Sequence, residues 1–205
     1  MNKLFTIVMT TVVALATAAT PTSAKNPAAT SKGFVTPAPA TTATKQDAKS
    51  AKLGKDRHGM PFYHAGQTVR YVRATAYTHS ESDHVGYGPR SAAGSYLKYT
   101  ETVRSAAADW SVYPLGTKFK IKGQPYTYIV DDYGSALVGT GTIDIYHPTR
   151  ALMNQWATRR VEIEVIEWGS MVRSMQKLSG RRGYKHCRRM YVSLEAQLKA
   201  AGNRG

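Results

Sequence analysis

Residues 160–166 read RVEIEVI, with Val161, Ile163 and Val165 alternating against Glu162 and Glu164. A period of two puts apolar side chains on one face and carboxylates on the other, which a helix of 3.6 residues per turn cannot do. The same short period recurs upstream. Val69 to Tyr77 reads as a strand, Gly116 to Ile121 alternates as GTKFKI, and Pro125 to Val130 sends Tyr126, Tyr128 and Val130 one way. Thr142 to Tyr146 is a further short strand, in which Ile143 and Ile145 face one side and Asp144 the other. Thr149 is placed to cap one short helix that buries Leu152 and Trp156. About six short strands and one helix in this span fit an all-β fold, a small β-barrel.

The flanks differ in texture. Met1-Asn2-Lys3, a threonine-diluted apolar stretch over 4–16 and small residues up to Ala24 read as a signal peptide, residues 1–24. Residues 25–63 are rich in Ala, Thr, Pro, Ser and Lys, and are expected to be a disordered linker because they offer little apolar surface to offset ordering entropy. Residues 64–168 form the expected domain. Residues 169–205 are expected to be a basic tail with a possible short helix over 191–201. Residues 25–58 and most of 169–205 are thereby expected to be dispensable for the barrel. No later stretch is apolar enough to span a membrane, so the mature chain is expected to be exported and soluble, in the periplasm or beyond.

Charge follows the same division. The chain of 205 residues carries a formal +15. The linker has 7 basic and 2 acidic residues, the domain 11 and 10, and the tail 9 and 1. A near-neutral domain between basic flanks suits anionic envelope polymers when the chain is exported, and export argues against nucleic acid. Cys187 is the one cysteine, so no internal disulfide can form; between His186 and Arg188 it reads as an incidental exposed thiol.

Chemistry points to three aspartates at the edges of apolar or glycine-rich runs, Asp109, Asp132 and Asp144. Carboxylates gathered by strands and turns can shift one another and leave one protonated near neutral pH, as glycosidic cleavage requires. The neighbouring Asp131 and Asp132 cannot both face one site if the strand continues through them. His79, Asp83 and His84 have the chemistry of metal ligands but lack a fourth partner at regular spacing, so a polar loop is expected and no metal. Gly134, Gly139 and Gly141 lack the following helix of a phosphate loop and read as turn residues. Tyr77, Tyr87, Tyr96, Tyr99, Trp110 and Tyr133 could stack on sugar faces, with Trp110 and Tyr77 expected to be partly buried.

The order Ala108-Asp109, Tyr113-Pro114-Leu115-Gly116-Thr117, Asp132-x-Gly134-x-Ala136-x-x-Gly139 and Ile143-Asp144-Ile145-Tyr146 resembles the 3D domain, named for its three aspartates. That domain is similar to the catalytic barrel of membrane-bound lytic transglycosylase A and to domains of resuscitation-promoting-factor-like and stationary-phase cell-wall proteins. Ala74-Thr75-Ala76-Tyr77 resembles the opening strand of the family, and residues 156–166 its closing helix and strand. This chain has Asp132-Tyr133-Gly134-Ser135 where the family has Asp-Thr-Gly-Gly, and one extra residue around Thr140-Gly141. The resemblance implies a double-psi barrel and action on peptidoglycan glycan strands without a cofactor. It implies Asp144 as general acid, or else a structural carboxylate; Asp132 as its tuner, or a cap for the turn at Gly134; and Asp109 as a network residue, or one that orders a turn. Tyr77, Tyr133, Gly134, Ser135 and Tyr146 would then contact substrate. One acid suffices when an intramolecular hydroxyl is the nucleophile, so lytic transglycosylation is favoured over hydrolysis. The alternatives are a non-catalytic wall- or glycan-binding module and, third, a secreted nucleic-acid binder.

Overall fold

The computed structural model describes residues 53–81, 86 and 88–203. The signal peptide, most of the expected linker, and Asp83, His84 and Tyr87 lie outside the described residues. Six strands close into a barrel: β1 (Val69–Tyr77), β2 (Val103–Ala108), β3 (Lys118–Ile121), β4 (Thr127–Asp132), β5 (Ile143–Tyr146) and β6 (Arg159–Glu167). Around the barrel they run β1-β5-β2-β4-β3-β6. The pairs β1/β5 and β2/β4 are parallel and the other four antiparallel. Adding three to each strand number maps this order and every pairing sense onto itself. Two interlocked halves joined by two parallel pairs, each with one strand from either half, match the double-psi type.

The interior is filled by the residues that alternation selects. Val72, Ala74, Phe119, Ile121, Tyr128, Val130, Ile143, Ile145, Ile163 and Val165 are all buried in one cluster. Phe119 stacks on Tyr128 with ring centroids 5.3 Å apart. β2 is different, because VRSAAA buries Ser105 to Ala108 without contrast between faces. It lies between β4 and β5 in the closed barrel, so both of its edges are paired and alanine's low strand propensity is overridden.

Among the described residues there are three α-helices, where one by the barrel and a possible short one over 191–201 were expected: α1 (Arg150–Trp156), α2 (Met171–Ser179) and α3 (Lys185–Gly202). Thr149 caps α1 by accepting the Leu152 N–H at 3.3 Å, as expected. The expected basic tail is instead a helical hairpin. Cys187, Met190 and Leu194 fall at i, i+3 and i+7 of α3, and with Leu178 of α2 they are fully buried in the barrel's own cluster. They cover Trp110, whose indole donates to the Asp132 carbonyl at 2.9 Å and whose backbone N–H approaches Met190 Sδ at 3.4 Å. Cys187 is therefore a core thiol and not an exposed one.

The entry to the hairpin explains its position. A Cβ on Gly169 would lie 2.3 Å from the Pro114 carbonyl oxygen, 2.4 Å from that of Leu115 and 2.5 Å from the Thr117 nitrogen. Only glycine allows the chain leaving β6 to pass this close to the Pro-Leu-Gly-Thr turn. The contact is then sealed: Ser170 N–H donates to the Leu115 carbonyl at 3.0 Å, and Ser174 Oγ accepts from Leu115 N–H at 2.8 Å.

The linker, too, is shorter than expected. Asp56 and Met60 are buried. Asp56 accepts from the His58 and Met60 N–H groups at 2.8 and 3.0 Å, and from Gly141 N–H at 3.2 Å. Arg57 donates to the carbonyls of Ala136 and Val138. This clasp holds the loop that follows β4.

The hairpin's role in the core sets an expected outcome. Leu194→Ala should lower unfolding free energy by about 2–5 kcal/mol, the usual cost of emptying a leucine site. Chemical denaturation of the full chain measures it, and a loss below about 0.5 kcal/mol would show that the hairpin does not share the barrel's core.

Candidate active site

The backbone register brings two of the three aspartates into one row. Thr75 on β1 pairs Asp144 on β5, Asp144 pairs Ala107 on β2, and Ala107 pairs Asp132 on β4. The interior residues Ile143 and Ile145 flank Asp144, so this row faces outward, as alternation predicts. With strands about 4.8 Å apart, the two aspartate Cα atoms are separated by about 10 Å, with one methyl group between them. A β-bulge at Ala106/Ala107 makes the row possible. Ala106 pairs Val130 and Ala107 pairs Asp132, so Asp131 is the extra residue. It turns its carboxylate to Lys98 at 3.0 Å and Ser105 Oγ at 2.7 Å, leaving Asp132 to the row.

A second buried cluster of Tyr77, Ala107, Leu137 and Tyr146 covers the row. Tyr77 Oη donates to Asp132 Oδ2 at 3.0 Å, and the Ala92 and Tyr133 N–H groups donate to Oδ1, each at 2.9 Å. An acceptor in three hydrogen bonds has the pattern of an ionised carboxylate. Burial and the Asp132 charge push the Tyr77 phenol well above its ordinary value of 10.0, so it stays a donor. Tyr146 Oη is 2.7 Å from His79 Nδ1.

Asp144 has a sparser environment. Its Oδ1 accepts from Thr75 Oγ1 at 2.6 Å. Burial pushes its carboxyl up to about 6 from 3.8; the Thr75 hydrogen bond and Arg73 oppose the rise, while the charges of Glu81 and Asp132 add to it. A poorly solvated carboxyl beside a second acid suits proton donation near neutral pH.

Asp109 is not part of this row. Its Oδ1 accepts from Ser111 N–H at 2.8 Å and Ser111 Oγ at 2.6 Å, and its Oδ2 from Gly139 N–H at 2.7 Å. The carboxylate is 1% exposed and ties the turn after β2 to the loop 139–141. This is the turn-ordering alternative, and every bond is to a nearby main-chain or serine donor.

An open cleft of about 620 Å³ lies on the Asp132 side. Tyr133, Gly134 and Ser135, the residues expected to contact substrate, line it together with Arg181, Tyr184 and His186 of the hairpin. Tyr77, Tyr146 and Asp144 are not among its lining residues. Tyr77 and Tyr146 are 8% and 4% exposed, so they position and cover the acids and offer little ring face. Tyr133 packs edge-on to Trp110 with centroids 5.0 Å apart. Its hydroxyl accepts from Arg181 at 3.2 Å and from Cys187 Sγ at 3.3 Å, and burial raises it to about 12. The hairpin residues were missed by sequence reasoning, although Tyr184 and His186 sit among the arginines of RRGYKHCRR and could have marked a mixed aromatic and cationic surface. His147 was missed as well. It is buried between the Tyr99 and Trp156 rings, and burial, with Arg104 and Arg159, lowers it to about 4.

Asp132 and Asp144 thus share a row on the outside of a closed mixed barrel, and Asp132 also lines the open cleft. Residues 104–172, from β2 into the first turn of α2, match the family model described as 3D domain. No curated protein matches the chain. Among the described residues, no helix is long and apolar enough to cross a membrane.

The raised Asp144 carboxyl has a thermodynamic cost with a definite sign. Between pH 3.8 and about 6 the folded protein holds a proton that the unfolded chain releases. Stability from this group is therefore full at acid pH and falls as pH rises through about 6. Asp144→Asn removes that loss, so it should stabilise the protein by on the order of 2 kcal/mol near pH 7.5 and by nothing near pH 3.5. Denaturant titrations at the two pH values check this; equal differences at both would sink the assignment of a raised carboxyl.

Proposed function

We propose that the protein is an exported, peptidoglycan-active lytic transglycosylase that breaks the β-1,4 bond between MurNAc and GlcNAc with formation of a 1,6-anhydro product. The observation that carries this reading is Asp144, a carboxyl raised to about 6 with Asp132 beside it in the row. Its place inside the stretch that matches the 3D domain lends support. Asp144 donates its proton to the glycosidic oxygen as the bond to the anomeric carbon breaks. The C6 hydroxyl of the same muramoyl unit attacks that carbon, and its proton passes to the Asp144 carboxylate, which restores the acid. The nucleophile belongs to the substrate, so effective molarity replaces a second catalytic carboxylate. Burial is what keeps Asp144 protonated, the Asp132 charge adds to it, and Asp109 holds the loop behind it. Binding to anionic envelope polymers falls to the basic flanks, including the hairpin surface. No metal or organic cofactor takes part.

A second reading draws on one observation: the lining of the open cleft includes Asp132 but not Asp144. A non-catalytic module that binds wall glycan through the cleft would need no access to Asp144.

Product chemistry separates the two. Purified protein incubated with intact sacculi should release anhydro-muropeptides, and Asp144→Asn should lower the rate by about 10²–10⁴-fold or more. The wild-type rate should decline as pH rises above about 6, where the acid loses its proton. Binding to sacculi without anhydro product from the wild-type protein would establish the second reading instead.

A further inference from the structure

The cleft has a second wall that the 3D domain match does not reach, because α3 and the turn before it lie beyond residue 172. An aromatic strip leads from the core, through Trp110 and Tyr133 of the matched stretch, to His186 and Tyr184 of that wall. Trp110 meets Tyr133 at 5.0 Å between centroids, Tyr133 meets His186 at 5.7 Å, and His186 meets Tyr184 at 5.8 Å. Trp110 is fully buried and Tyr184 is 63% exposed, so the strip runs outward along the cleft. His186 is lowered by burial and so remains a neutral ring near pH 7.

Beside the strip stands a cation in a defined pose. One nitrogen of the Arg181 guanidinium donates to the Ala92 carbonyl at 3.0 Å and to Tyr133 Oη at 3.2 Å. Guanidinium carries five N–H donors, so this pose leaves part of the fork for another acceptor. The ion pairs among the described residues join Lys98, Lys118, Lys122 and Lys199 to acids, and none involves Arg181. Asp132, the carboxylate that lines the cleft, already receives three hydrogen bonds. A pinned arginine next to exposed ring faces is suited to a ligand with both an apolar sugar face and a carboxylate.

We propose that the C-terminal hairpin forms a glycan subsite, with Tyr133, His186 and Tyr184 as the stacking surface for a sugar ring and Arg181 as the partner of a carboxylate carried on that sugar. The proposal rests on the peptidoglycan reading and specifies it further: a MurNAc unit, with its lactyl carboxylate or attached peptide, occupies the hairpin side of the cleft. Arg181 and Tyr184 are binding residues and take no part in proton transfer.

Binding is measured by calorimetry on the full chain carrying Asp144→Asn in every sample, so that turnover does not interfere. The probes are a neutral chito-oligosaccharide and a GlcNAc-MurNAc oligosaccharide with free lactyl carboxylates. The parent should prefer the carboxylate-bearing probe. Adding Tyr184→Ala, at an exposed position, should weaken both probes by about 3–10-fold, the range of an aromatic contact. Adding Arg181→Lys keeps the charge but loses the planar fork, and should reduce the preference for the carboxylate about tenfold while changing the neutral probe little. Thermal unfolding confirms that each variant is folded. Unchanged affinities in both variants, or a parent that binds neither probe, would overturn the subsite. Loss in Tyr184→Ala with no parental preference for carboxylate would overturn the role of Arg181. These outcomes are independent of whether the wild-type protein makes anhydro product, so failure of the subsite is distinguishable from failure of the enzymatic reading.

Discussion

The arrangement of this protein depends on a single row of paired residues across four strands: Thr75, Asp144, Ala107 and Asp132. Two acids can occupy one row of a small barrel only if the residue between them is small and the strands cannot shift. Ala107 meets the first condition, since a longer side chain there would fill the space between the carboxyls. Closure of the barrel meets the second, because a register slip on one strand would have to be matched all the way round. The bulge that moves Asp131 out of the row is part of the same solution. Without the extra residue, the position opposite Ala107 would fall to Asp131, whose partners here are Lys98 and Ser105.

Two buried titratable groups act on stability in opposite directions. Asp144 holds a proton that the unfolded chain would lose, and His147 refuses one that the unfolded chain would take between about 4 and 6.5. Over the shared range the first makes the fold less stable as pH rises and the second makes it more stable. Their sum is flatter than either alone, so a protein with a strained acid at its surface need not have a sharp pH optimum of stability.

Much of the barrel was legible from alternation. β1 and β6 each have one buried and one more exposed face, and the outward direction of Asp144 followed from the isoleucines beside it. β2 was not legible, because burial on both faces removes the contrast on which alternation relies. The hairpin was hidden for a different reason. Cys187, Met190 and Leu194 do keep helical spacing, but exposed Arg188 and Arg189 stand between the first two, and the net charge of 169–205 masks the apolar stripe. The identities of the acids were evident, while their separation was not: that Asp109 serves a turn while Asp132 and Asp144 share a row depends on long-range register. The clasp at Asp56 and Arg57 was equally out of reach, since its partners lie 79 to 85 residues away in sequence.

The connectivity also dictates the order of assembly. β1 has no neighbours until β5 and β6 exist, and β2 pairs with β4 and β5 but not with β1. No hairpin of adjacent strands except β3/β4 can form early, so loop-closure entropy must be overcome before most contacts are gained. The first strand waits about 90 residues for its antiparallel partner β6, and Trp110 remains uncovered until Met190 and Leu194 have been added. Completion of this core therefore depends on α3: the helix that covers Trp110 also, in the same step, raises the hairpin side of the cleft.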